Sequence, residues 1–332
     1  MGLRLTPRLV LLALAVALVA VVAAGCGREE DESGGDTGAA GANGGSEQLA
    51  GAVEIDGSST VGPLVTTAAE QFRRQQPDVE VRVGTSGTGG GFERFCAGET
   101  DVSNASRQID EEEVPICEEN GIEYTELQVA VDALTIVVNA ENDWATCLTT
   151  EQLKKIWEPS AEGKVTNWNQ VDPSFPDQQL SLAGPGTDSG TFDYFTDEIN
   201  GEEGASRSDY QASEDDNVIV QAVQGERGAL GYFGFSYYEE NQDTLRAVEI
   251  DSGNGCVAPS VETAQAGDYT PLSRPLFIYV KNESLDRPEV EAFTRYMVDN
   301  AVPIAEQARF IPLNDEQLAE THATFEEALA AR

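Results

Sequence analysis

The stretch GTDSGTFDYF at residues 186–195 combines hydroxyl side chains and a glycine in a turn that continues directly into a predicted helix. Two similar stretches occur earlier, DGSSTVGPL at 56–64 and GTSGTGGGF at 84–92, and none of the three contains lysine or arginine. Each follows a predicted strand and opens a predicted helix. This shared placement is the feature from which the fold and the function are inferred.

The start of a helix attracts anions. Its first N–H groups have no partner inside the helix, and the helix dipole adds partial positive charge. Hydroxyls supply further donors, and glycine allows a ligand to approach the backbone closely. A single turn of this kind is explained more simply as the cap of its own helix. Three of them in one chain favour a shared site for a small anion, held mainly by neutral donors.

From residue 52 onward, predicted strands alternate with predicted helices. AVEIDG, VEVRVG, LSLAGP and RPLFIYVKN have the patterns of strands, and amphipathic helical segments separate them. The long apolar run ELQVAVDALTIVVNA is rich in β-branched residues and predicts one or two buried strands. This alternation predicts an α/β architecture of layers with mostly parallel strands.

Charge and length limit the classes of function. The chain has 332 residues, enough for one large or two medium domains, and a formal net charge of −39 from 59 acidic and 20 basic residues. Nucleic acid is excluded as a partner, because phosphate backbones are bound by basic patches. The acidic excess is best explained as a solvated surface.

The N-terminus is predicted to be an export signal with a lipid anchor. Arg4 and Arg8 precede the apolar run LVLLALAVALVAVVAA, and Gly25 and Cys26 follow it. We interpret residues 1–26 as a lipoprotein signal peptide and Cys26 as the lipidated residue, although Ala23 stands where such signals usually have leucine. Ordinary signal cleavage is the alternative.

The segment after the signal contains almost nothing that could be buried. Residues 27–51 are dominated by glycine, serine and acidic residues, which predicts a disordered tether. An anchor, a tether and a folded body predict a protein held on the outer face of the bacterial cytoplasmic membrane.

Four cysteines remain in the predicted folded body. An even number in an exported protein suggests two disulfides, and four cysteines allow three connectivities. We predict the pairs Cys96–Cys117 and Cys147–Cys256. A metal site is the alternative, but no CxxC pair occurs and His322 is the only histidine.

Five segments resemble the PstS family, the phosphate-binding proteins of the high-affinity ABC-type phosphate importer. They are DGSSTVGPL, GTSGTGGGFERFCAGETDVSNASRQI, GTDSGTFDYF, SEDDNVIVQAV and GALGYFGFSYY. The resemblance implies a two-lobed periplasmic-binding-protein fold of type 2, with a mixed sheet flanked by helices in each lobe and two crossovers. Lobe one is expected to comprise 52–133 plus 270–332 and lobe two 134–269, with phosphate in the cleft between them.

The family also implies a function. The protein is expected to capture inorganic phosphate and deliver it to the membrane permease subunits of an ABC importer, as a monomer, without catalysis, cofactor or metal. Residue by residue, the resemblance and the neighbouring sequence give a predicted phosphate-binding set: Ser58, Ser59, Thr60, Ser86, Thr88, Ser106, Arg107, Ser189, Gly190 and Thr191.

Two positions depart from the best-studied members of the family. Pro185 stands where they have an arginine, and Ser106 stands where they have the aspartate that accepts the phosphate proton. We therefore assign the guanidinium to Arg107, with Arg207 as the second candidate. The proton-accepting carboxylate stays open: Asp101 and Asp188 are nearest in sequence, and Asp101 is better explained as a structural cap.

Three alternatives to phosphate binding have less support in the sequence. Sulfate is the runner-up ligand, because it needs only donors and the familiar aspartate is missing. A secreted phosphatase has little support, since GTSGTGGG lacks the lysine of a nucleotide-binding loop and His322 lies among charged and small residues of a predicted helix. A surface adhesin that keeps the fold without the ligand is contradicted by the intact hydroxyl loops.

Overall fold

The computed structural model describes residues 48–332. The predicted signal peptide, the predicted lipidation site Cys26 and most of the predicted tether lie outside the described residues. The first strand begins at Ala50, two residues inside the predicted tether, because Ala50 and Gly51 already pair with Asp78 and Val79. Between residues 48 and 332, no helix is both long and apolar enough to cross a bilayer.

Strands and helices alternate along most of the described chain. The strands are β1 Ala50–Gly57, β2 Asp78–Val83, β3 Val102–Ala105, β4 Tyr124–Asn139, β5 Cys147–Thr149, β6 Ser181–Gly184, β7 Gln211–Ala212, β8 Ala229–Gly234, β9 Leu245–Ala247, β10 Glu249–Asp251, β11 Cys256–Val257 and β12 Ser273–Lys281. The α-helices are α1 Gly62–Phe72, α2 Thr88–Cys96, α3 Val114–Glu119, α4 Thr150–Trp157, α5 Trp168–Val171, α6 Gly190–Phe195, α7 Asp216–Gly225, α8 Phe235–Asn241, α9 Val261–Gln265, α10 Pro288–Asp299, α11 Ala301–Gln307 and α12 Asp315–Ala330.

The main sheet is mixed. Its strand order is β2-β1-β3-β12-β4-β8-β6-β7, and β9 also pairs with β4. β1 is parallel to β2 and β3, and β6 is parallel to β7 and β8, but β12 and β4 are antiparallel to their neighbours. The expectation of mostly parallel strands is therefore wrong, because the two long strands that connect the lobes run in opposite directions beside each other.

Strand β4 is shared by two hydrophobic cores. One core draws its buried residues from the ranges 53–130 and 276–325, and the other draws them from 134–272. Leu127 and Val129 of β4 enter the first core, whereas Leu134 and Ile136 enter the second. The run ELQVAVDALTIVVNA is thus one continuous buried strand, and the two-lobed architecture follows from its length.

Both predicted disulfides are confirmed. Cys96–Cys117 joins the end of α2 to α3, and Cys147–Cys256 joins β5 to β11. Glu249 lies close to the second pair, but both sulfurs there are bound to each other. The alternative of a cysteine metal site is therefore wrong.

Candidate anion-binding site

The three hydroxyl turns contribute to one cavity of about 400 Å³. The cavity is lined by Ser58, Ser59, Thr60, Ser86, Gly87, Thr88, Gly89, Gly90, Ser106, Arg107, Gly190, Asp193, Tyr194, Asp197, Glu198, Glu203 and Arg274. Eight of the ten predicted ligand residues are in this wall. The other two, Ser189 and Thr191, are adjacent, where the Ser189 hydroxyl accepts a hydrogen bond from the Thr191 N–H at 3.2 Å and caps α6.

The first turn is fixed by a close approach between β1 and β3. Gly57 has φ of 142°, and a Cβ there would lie 2.1 Å from the Asn104 carbonyl oxygen, so only glycine fits. The next N–H, from Ser58, donates to that same oxygen at 2.9 Å. The chain then enters α1, which leaves Ser59 and Thr60 at the cavity.

Asp56, which was not among the residues predicted from sequence, holds the second turn in place through hydrogen bonds to its carboxylate. Its carboxylate accepts from the Ser86 N–H at 2.9 Å and from the Gly57 N–H at 2.7 Å, and it pairs with Arg94. Burial opposes ionisation, but these donors outweigh it and hold the pKa of Asp56 below its usual value. Asp56 positions the loops and is absent from the cavity wall.

The glycine run of the second turn serves packing. A Cβ on Gly91 would lie 2.5 Å from the Cα of Gly57, so α2 lies directly against the end of β1. This contact places Thr88 beside Ser106, with the two hydroxyl oxygens 3.1 Å apart. The hydroxyl of the second turn and that of Ser106, directly after β3, thereby form one polar surface.

The first and third turns meet across the cavity. A Cβ on Gly190 would lie 2.8 Å from the Thr60 hydroxyl oxygen and 3.3 Å from the Thr60 nitrogen. Thr60 follows β1 in the first lobe, and Gly190 begins α6 in the second. The glycine therefore permits the two lobes to touch at this point.

Arg107 borders the cavity, but its guanidinium already has partners. Nη1 and Nη2 donate to the two carboxylate oxygens of Glu113, each at 2.8 Å, and Asp110 lies 3.2 Å from Nη1. The planar end that was expected to bind two phosphate oxygens is thus occupied by a carboxylate.

Arg207, the second candidate, lies elsewhere. It is 3% exposed, donates to the carbonyl oxygens of Ile156 and Val165, and pairs with Asp209. It is absent from the cavity wall, and its role is to hold lobe two together.

Arg274 is the one arginine of the described cavity wall that sequence reasoning missed. It lies near the start of β12, where Nη2 donates to the Thr60 hydroxyl at 2.9 Å and Nε lies 3.3 Å from an oxygen of Asp132. Its guanidinium carbon is 3.5 Å from the centre of the Tyr194 ring. The available signal was an arginine in the otherwise apolar strand RPLFIYVKN, but only the fold shows that this strand passes the cavity.

Four carboxylates form part of the cavity wall. They are Asp193, Asp197, Glu198 and Glu203. Burial and the neighbouring Glu203 raise the pKa of Asp193, and burial and Asp197 raise that of Glu198. The two carboxylates proposed from sequence are outside this wall: Asp101 accepts from Ser284 and pairs with Arg287, as a structural role requires.

Comparison with known proteins identifies the family. The chain matches the PBP superfamily domain over residues 39–301. It is 48% identical over 270 residues to the protein SphX of Synechocystis, covering 81% of this chain and 80% of that one. It is 39% identical to the phosphate-binding protein PstS of Staphylococcus saprophyticus, covering 87% and 89% of the two chains.

Solved structures agree with this relationship. A possible phosphate-binding protein from Planctomyces limnophilus superposes with a TM-score of 0.81 at 43% identity, covering 85% of this chain and 100% of that one. PstS from Borrelia burgdorferi, at 23% identity and a TM-score of 0.61 with coverage of 79% and 99%, shares the fold. The chain therefore belongs to the PstS family, a family of substrate-binding proteins and not of enzymes.

Proposed function

We propose that this protein binds inorganic phosphate in the cavity between its lobes and delivers it to an ABC-type importer. The observation that carries the proposal is the convergence of the three hydroxyl turns on one cavity that also contains a guanidinium. Neutral donors and a positive charge around a small polar space suit a tetrahedral oxyanion. The names of the relatives point to the same ligand.

The proposed ligand contacts follow the cavity wall. We propose that the hydroxyls of Ser59, Thr60, Thr88 and Ser106 donate to phosphate oxygens, with Ser58 and Ser86 supporting their loops. Arg107 and the start of α6, Ser189 to Thr191, complete the proposed surface. Of that trio, Gly190 is the member that lines the cavity, whereas the Ser189 hydroxyl accepts from the Thr191 N–H.

The acidic wall favours phosphate over sulfate as the ligand. An anion placed beside Asp193 and Glu198 is repelled unless a proton lies between the charges. Hydrogen phosphate carries such a proton at neutral pH, whereas sulfate does not. We propose that carboxylates of the second lobe accept the phosphate proton in place of the aspartate, since this chain has Ser106 at the aspartate position.

We propose that the lobes divide at 133/134 and at 269/270. The two separate cores support divisions near these positions, since they separate between Ala130 and Leu134 and between Leu272 and Leu276. Delivery further requires a position outside the membrane. We propose that residues 1–26 direct export, that Cys26 carries the lipid, and that the monomeric body is held by the tether near the permease subunits.

Equilibrium dialysis with radiolabelled phosphate tests the proposed ligand. Purified protein, first stripped of bound anion by partial unfolding and refolding, should bind one phosphate, and a tenfold excess of sulfate should leave that binding almost unchanged. Failure to bind phosphate, or equal displacement by sulfate, would contradict the proposal. Incubation with a generic phosphate ester should release no phosphate.

A further inference from the structure

We infer that Arg274, on the crossover strand β12, is the guanidinium that binds the anion in this protein. The inference rests on the proposed function and names a residue that carries it. The family position four residues before Ser189 is Pro185, which has no charge to offer. The positive charge must come from another element, and Arg107 and Arg274 are the two arginines in the described cavity wall.

The two arginines differ in the state of their donors. Both terminal nitrogens of Arg107 are bound to Glu113, with Asp110 also close. Arg274 uses Nη2 for the hydroxyl of Thr60 and Nε for Asp132, and within residues 48–332 its Nη1 has no hydrogen-bond partner. Nη2 carries a second N–H besides the one that it donates to Thr60, so Nη1 and Nη2 both remain available to a ligand. The Thr60 hydroxyl, while it accepts from Nη2, can donate its own proton to the same oxyanion.

The position of Arg274 is set by rigid neighbours. Its side chain is 17% exposed, and one face of the guanidinium lies on the Tyr194 ring. Tyr194 is itself fixed, because its hydroxyl donates to the carbonyl oxygen of Pro271. Asp132 lies opposite Arg274 on β4 and orients Nε. A guanidinium held in this way loses little entropy when it binds two oxygens.

Charge in the cavity gives a second reason. Asp193, Asp197, Glu198 and Glu203 all contribute negative charge, and Glu113 neutralises Arg107. The positive charge of Arg274 partly offsets this negative charge, since it opposes the upward shift in the pKa of both Asp193 and Glu198. Without Arg274, an incoming phosphate would meet an uncompensated acidic wall.

The experiment compares three single arginine variants by calorimetric titration with inorganic phosphate. Arg274→Ala should weaken binding at least about 30-fold, as expected for loss of a desolvated charge contact. Arg107→Ala should weaken it less than Arg274→Ala does. Arg295→Ala, which removes a surface ion pair on α10, is the matched control and should bind like the wild type.

Two further variants separate binding from folding. Arg274→Lys keeps the charge and should recover only part of the loss, because an ammonium cannot contact two oxygens as a planar guanidinium does. If Arg274→Ala unfolds because Asp132 is left unpaired, the double variant Arg274→Ala, Asp132→Asn removes both charges, and its thermal midpoint checks the fold.

The outcomes separate a failure of the role of Arg274 from a failure of the proposed phosphate binding. Tight phosphate binding by folded Arg274→Ala, or a larger loss in Arg107→Ala, would overturn the role of Arg274 while leaving phosphate as the ligand. A wild-type protein that binds no phosphate would overturn the proposed function, and the inference would fall with it.

Discussion

Arg274 and Asp132 face each other on β12 and β4, the two antiparallel strands that pass between the lobes. The Nε of Arg274 lies 3.3 Å from an oxygen of Asp132, and Asp132 is only 7% exposed. The same guanidinium touches Thr60 on one side and Tyr194 on the other. A charged pair on the connecting strands therefore contacts residues of both lobes at the cavity.

Asp132→Asn should make the thermal stability of the protein depend more strongly on bound phosphate. The variant keeps an oxygen that can accept from Nε but leaves the charge of Arg274 uncompensated, which is costly for a buried group. We expect a lower thermal midpoint without phosphate and a larger rise on saturation than in the wild type. Differential scanning calorimetry with and without phosphate measures both. An equal or smaller rise in the variant would contradict this reading of the pair.

Gly190→Ala should weaken phosphate binding while leaving each lobe folded. The added methyl would lie 2.8 Å from the Thr60 hydroxyl oxygen, so it forces the lobes apart where they touch. Overpacking of this kind costs about 1–3 kcal/mol, which corresponds to a loss of affinity of roughly 5- to 150-fold. Gly225→Ala is the matched control, because a Cβ there meets no atom within 4 Å. Unchanged affinity in Gly190→Ala would show that this contact does not matter for closure.

Asp209→Asn should lower stability without changing phosphate affinity, because its partner Arg207 is buried and neither residue lines the cavity. The hydrogen bonds from Arg207, which exceed the opposing effect of burial, lower the pKa of Asp209 to about 2. A carboxyl with a depressed pKa stabilises the fold above its unfolded pKa of about 4 and loses that contribution as pH falls toward 2. Urea unfolding should therefore show a deficit of about 3 kcal/mol at pH 7 that shrinks below pH 4. A deficit independent of pH would refute the role of the ion pair.

The two disulfides should differ in their effect on stability. Cys147 and Cys256 are 109 residues apart and Cys96 and Cys117 are 21 apart, so the longer loop restricts the unfolded chain more. The chain-entropy relation gives about 5 kcal/mol for the long loop and about 3 kcal/mol for the short one. Replacing each pair with serines and comparing urea midpoints tests the order. A larger loss from the short loop would show that native packing, and not loop length, dominates.

Sequence reasoning predicted the local features of the site well. Each hydroxyl turn follows a strand and precedes a helix. Residues such as Ser58, Thr88 and Gly190 can therefore be recognised from about ten residues of surrounding sequence. The sequence also predicts both disulfides, and it predicts one or two buried strands in the apolar run that forms β4. These predictions depend on short-range patterns, which the sequence displays directly.

The remaining features depend on which distant segments meet. Arg274 is 84 residues from Gly190 in the chain, and only the pairing of β12 with β4 brings it to the cavity. Arg107 and Arg207 were reasonable candidates by sequence, but Glu113 and Asp209 turned out to be their partners. The alternation of strands and helices predicted mostly parallel strands for the same reason, because strand direction is decided by the two crossovers, whereas the family resemblance correctly implied a mixed sheet.

A crystal structure of the phosphate complex would show directly which guanidinium binds the anion. We predict a tetrahedral anion in the cavity, with two of its oxygens within about 3 Å of guanidinium nitrogens of Arg274 and others at the hydroxyls of Thr60 and Thr88. We also predict that Arg107 keeps its contact with Glu113. Phosphate bound by Arg107 after release of Glu113, with Arg274 out of contact, would contradict the role of Arg274.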